Sequence, residues 1–128
     1  MSNLSERVLN GIDYPAIAAK RRANYGFLSE ALGTHNHFDD VREEDSVPFC
    51  YPYLPSVALP REPFFAQQIF VPYLWRDVGR QRDPFQWETD FAERLLPLPV
   101  DHRYGERDLV RVSECVRQLA RQHGAEGR

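Results

Sequence analysis

Four consecutive residues in "LPLPVDHRYGERDL", Asp101, His102, Arg103 and Tyr104, place an acid, a base, a fixed cation and a phenol side by side. An Asp–His pair can orient a general base. The hydrolase version also needs a nucleophile on a tight elbow, and no G-x-S-x-G occurs in the chain. Adjacent side chains also diverge. The four therefore read as a turn from a strand into a helix: Asp101 bonds backbone amides, His102 and Arg103 face solvent, and Tyr104 covers the helix entrance. They are weak polar candidates, and no catalytic residue is assigned.

A second group, His35, His37, Asp39 and Asp40 in "HNHFDD", offers imidazole and carboxylate ligands of the kind divalent metals take. A metal site also needs neighbours that hold its ligands in place, which a polar loop supplies poorly. The expectation is a solvated loop with no metal of its own, on which any bound metal is adventitious. Cys50 and Cys115 lack C-x-x-C spacing and lie among apolar residues, so they read as free thiols of the core. Fifteen of the sixteen basic residues are arginine, so Lys20 is the one amine side chain. The seven glycines form neither a P-loop nor a dinucleotide fingerprint.

The elements that must position these groups follow from pattern. Asp13 can cap a long helix over residues 14–32, with Pro15 in its first turn and Gly33 after its end. Ile17, Tyr25, Leu28 and Leu32 form its apolar side, and residues 6–9 add a helical turn or two. Residues 34–46 hold five acids against one arginine and no apolar period, which predicts an acidic solvated loop. "VPFCYPY" (47–53) reads as an edge strand, since Pro48 and Pro52 fit only an edge or a bulge. A short helix over 61–68 leads into a strand "IFVPYLW" (69–75), and a charged loop covers 76–86. Trp87, Phe91 and Leu95 mark a third helix, "LPLPV" a third strand, and Leu109, Val112, Val116 and Leu119 the stripe of a closing helix after Gly105. Residues 123–128 read as a frayed tail.

The predicted fold is α/β (α+β): one domain over 1–128, a two-layer sandwich with about four helices on a small, mainly antiparallel, three-stranded sheet. At 128 residues the chain can bury about two thirds of its unfolded surface and needs no disulfide or metal. Its net charge of -3 lacks the basic surplus that binding to nucleic acid requires. Apolar runs are short and interrupted by proline, against the roughly 20 residues of a membrane span. The first residues do not carry the pattern of a signal peptide, so a cytoplasmic protein is expected.

The order of "GIDYPAIAAKRRANYGFLSEAL", "VPFCYPYL", "IFVPYLW" and "RLLPLPVDHRYGERDLVRV" resembles the C-terminal small domain of DegT/DnrJ/StrS sugar aminotransferase-like proteins. These are fold-type I enzymes dependent on pyridoxal phosphate (PLP). In that family the aldimine lysine and the groups holding the cofactor belong to a large N-terminal domain, and nothing in this chain matches that domain. Lys20 corresponds to no family motif, so no cofactor is expected on this chain alone. The resemblance implies that Tyr73 and Trp75 approach a substrate or an interface. Phe49 and Tyr51 join them as expected contributors to an exposed aromatic docking surface.

Three functions are compatible with these readings. One is a small domain, not catalytic alone, that works with a PLP-binding large domain in amino-sugar or nucleotide-sugar metabolism. Another is a non-enzymatic binding or assembly module that forms a homodimer through its exposed edge strand. The last is a small enzyme built on Asp101 and His102, which the missing nucleophile disfavours.

Overall fold

In the computed structural model, residues 2–40, 42–77 and 86–124 are described. Helix α1 (Asn3–Asn10) is capped by Ser2, whose hydroxyl accepts from the Ser5 amide, and none of its residues is buried. Helix α2 (Tyr14–Leu32) begins where expected: the Asp13 carboxylate accepts from the Ala16 amide, and Pro15 occupies the first turn. A 3-10 turn, Gly33–His35, follows it. The remaining elements are strand β1 (Cys50–Tyr53), short helix α3 (Glu62–Ala66), helix α4 (Gln86–Arg94), strand β2 (Leu96–Pro99) and helix α5 (Glu106–Gln122). The fold is thus a mixture of helix and strand, with five α-helices rather than about four among the described residues.

β1 and β2 pair antiparallel, Tyr51 opposite Leu98 and Tyr53 opposite Leu96. Side chains alternate across a strand. Tyr51, Tyr53, Leu96 and Leu98 accordingly turn to the buried side, where Tyr51 meets Tyr25 of α2 edge to face at 4.9 Å. Leu28 and Leu32 continue that side, and Leu109, Val112, Val116 and Leu119 of α5 close it. Each such leucine, fully buried, contributes about 1.5–3 kcal/mol.

The expected third strand over 69–75 is not a strand among the described residues, and the neighbouring edge of β2 could offer it acceptors only. Pro97 and Pro99 have no amide, so only Leu96 and Leu98 can donate to β1. The far edge of β2 is then a row of carbonyls without donors. Residues 69–72 still alternate as a strand would, with Ile69 and Val71 buried and Phe70 67% exposed. The carbonyls of Val71 and Pro72 bond elsewhere. The buried guanidinium of Arg61 donates through one nitrogen to Val71 and Pro72 and through the other to Glu93 (3.4 Å) and Leu95 (2.8 Å). One side chain thus joins the segment after α3 to the entry of β2.

The loop after α2 is also less free than its charge suggests. Asn36 donates to the Pro52 carbonyl (2.9 Å) and the Tyr51 hydroxyl (3.1 Å), while its own oxygen accepts from Phe38 and Leu54. With the His37 amide bonded to the Leu54 carbonyl, it covers the outer edge of β1. Most of the loop that was expected over 76–86 and of the tail over 123–128 lies outside the described residues.

Candidate functional site

The side of the sheet away from α2 and α5 carries Cys50, Pro52, Pro97 and Pro99, the alternates of the buried set. On it opens a cavity of about 260 Å³. Pro97 and Val100 are buried at its base, whereas Phe49 and Phe70 stand 74% and 67% exposed at its sides. Its polar lining comes from one place. Arg21, Asp101 and Arg103 meet there, and Tyr104 lines it as well.

The opening tetrad is therefore a turn that borders a cleft. Asp101 accepts from the Arg103 amide (2.9 Å) and from the Arg103 guanidinium (2.8 Å), and Arg21 of α2 reaches its other oxygen at 3.5 Å. The hydrogen bond from Arg103 holds the Asp101 carboxyl below its usual range. His102 Nδ1 lies 3.6 Å from the same carboxylate, but its side chain is exposed and no nucleophile stands beside it among the described residues. Tyr104 packs half-buried against the core.

Asn24 of α2 holds this turn in place. It is buried at 2% exposure and donates to the carbonyls of Asp101 (2.9 Å), Val100 (3.3 Å) and Tyr104 (3.4 Å). Replacing it by leucine leaves those carbonyls without that donor, at a cost of about 2 kcal/mol. A urea melt of Asn24→Leu should show this as a lower midpoint at unchanged slope; an unchanged midpoint would mean that water replaces the amide.

The four aromatic residues expected on one surface separate. Phe49 borders the cleft, but Tyr51 is buried at 3% exposure and belongs to the core, which corrects its expected role as a surface contact. Tyr73 stacks on the Arg61 guanidinium at 3.6 Å while staying 44% exposed. Trp75 joins Phe91 (6.1 Å between rings), on which Trp87 also stacks at 5.4 Å, in a second exposed aromatic patch. Sequence reading passed over Phe70 and Arg21, although both left a signal. Phe70 is the outward member of an alternating pair, and Arg21 sits four residues from both Ile17 and Tyr25, on the apolar stripe itself.

The other chemistry-bearing groups take structural or exposed positions. Burial raises the Cys50 thiol above its usual range at the cleft and does the same to Cys115 in the core. Burial also raises the Tyr25 phenol to about 12, where Arg42 covers its ring at 3.4 Å. His35, His37 and Asp39 are exposed, and Asp40 pairs with Arg42 at 3.2 Å. Among the described residues no three His, Cys, Asp or Glu side chains converge as metal ligands, and no helix is long and apolar enough to cross a membrane.

No protein-family model, curated protein or solved structure matches this chain.

Proposed function

We infer that the chain is a binding module, supplying no reacting group of its own, and that it docks through the sheet face bearing the cleft. The observation that carries this reading is the pair Phe49 and Phe70, large apolar side chains left mostly in water on either side of an apolar cavity. A solvent-facing patch of this kind is characteristic of an interaction surface. The groups of the cleft that could react are restrained: Asp101 is shared by two guanidiniums, and burial raises the Cys50 thiol above its usual range.

Edge pairing is a poor route to assembly, because Asn36 and His37 occupy the outer edge of β1 and prolines strip β2 of donors. The face remains. The occupant we propose is the PLP-binding large domain that the resemblance implies; Tyr73 and Trp75, though partly exposed, do not line the cleft. A photo-crosslinking amino acid at Phe49 or Phe70, with Val110 of α5 as control, tests this in the source cell. A single adduct, specific to the two cleft positions and carrying a borohydride-reducible PLP lysine, is the expected result. An adduct with a second copy would replace the large domain by a homodimer. No adduct from either position overturns the docking reading.

A further inference from the structure

The cleft has a chemical preference of its own, independent of whether a protein docks on the face around it. Its walls are apolar: Phe49, Phe70, Pro97 and Pro99 offer rings and methylenes. At one end, two guanidiniums and one carboxylate meet, so one positive charge is left over. Neither arginine is fully engaged by that carboxylate. Arg103 gives it Nε and one terminal nitrogen and remains 77% exposed. Arg21, half-buried, reaches it only at 3.5 Å and spends its other terminal nitrogen on the Pro48 carbonyl at 3.3 Å. A guanidinium carries five N–H donors in a planar fork that matches a carboxylate, so donors remain for a second anion.

We propose that this cleft binds a small organic acid with an apolar body, its ring or chain between Phe49 and Phe70 and its carboxylate at Arg21 and Arg103. Size points the same way. About 260 Å³ lies just below the ~300 Å³ at which small-molecule pockets usually begin, which suits one ring with a short acid tail rather than a larger molecule. The floor favours the same class. Pro97 and Pro99 contribute no N–H donors, so specificity for a polar group must come from the arginine end. An amine in place of the acid would meet two cations there.

Three probes that share a body and differ in head group test this on the whole chain: 3-phenylpropionate, 3-phenylpropanol and 3-phenylpropylamine, each titrated by NMR. The acid should bind at least tenfold more tightly than the alcohol, and the amine most weakly. The acid's advantage should shrink as salt is raised. Arg103→Gln should remove about tenfold from the acid and leave the alcohol unchanged. Asp101→Asn keeps an oxygen to accept from the Arg103 amide and removes the competing charge, so it should tighten the acid severalfold. A melt of each variant checks that the turn persists. If the alcohol matches the acid in the parent, the charge preference is wrong while the apolar cleft stands. If none of the three shifts resonances of residues at the cleft, the cleft is no ligand site. If Arg103→Gln weakens acid and alcohol equally, the arginine shapes the cleft instead of recognising the anion.

Discussion

Replacing Arg61 by methionine should destabilise the protein by about 4 kcal/mol, more than any exposed substitution and as much as a charge placed in the core. Methionine fills much of the same space. It donates nothing. Four carbonyls, those of Val71, Pro72, Glu93 and Leu95, then lose the donor that satisfies them, and Tyr73 loses the cation over its ring. Arg61 stays buried at 1% exposure, its charge stabilised by backbone carbonyls and the face of the Tyr73 ring; burial lowers its pKa. Lysine should recover only part of the loss, since one ammonium cannot bridge two carbonyl pairs in the way a planar fork does. Urea melts of Arg61→Met and Arg61→Lys are the measurement. A methionine variant within 1 kcal/mol of the parent would show that the Arg61 bonds do not hold Val71 and Pro72 to the entry of β2.

That arginine also shows where the sequence stops being readable. Local rules found the starts of α2 and α5, because the side chains that cap them lie three residues from the amides or carbonyls they serve: Asp13 to Ala16, and Asp108 back to the Gly105 amide at 2.9 Å. Arg61 acts 10 to 34 residues away. Asn24 bonds a turn 76 to 80 residues away. Nothing in composition or period marks either as a tie, apart from a polar residue standing on a helix's apolar side. The third strand failed for a related reason. The run "IFVPYLW" has strand-like residue types, but the prolines of the neighbouring strand leave that edge able only to accept, so a ladder there would lack half its bonds. The aromatic surface was half legible. Strand β1 starts at Cys50, so Tyr51 and Tyr53 alternate into the core while Phe49, in the bend just before, escapes that alternation and stays in water.

Placing an aspartate at Val112 should unfold the protein or lower its melting temperature by more than about 12 °C, whereas His102→Ala should leave it within about half a kcal/mol of the parent. Val112 is 3% exposed on α5, within the cluster that includes Ile69, Leu109 and Val116. A carboxylate there would have to lose its water without gaining a partner, which costs several kcal/mol or forces it to take up a proton. A carboxylate one turn away makes matters worse. Asp108 stands one turn earlier on the same face and already spends one oxygen on the Gly105 amide, so the new acid would meet a like charge. His102, by contrast, is exposed, and the carboxylate near it, that of Asp101, is already held by Arg103 and Arg21. Val112→Thr, close in shape but carrying a hydroxyl, should fall between the two. The paired melts decide between a structural turn and a hidden active site. If Val112→Asp melts like the parent while His102→Ala unfolds, the tetrad carries the fold. If both chains stay folded and His102→Ala alone abolishes binding of 3-phenylpropionate at the cleft, the imidazole is part of the binding site, and the division of labour drawn between Asp101, Arg103 and Arg21 must be redrawn to include it.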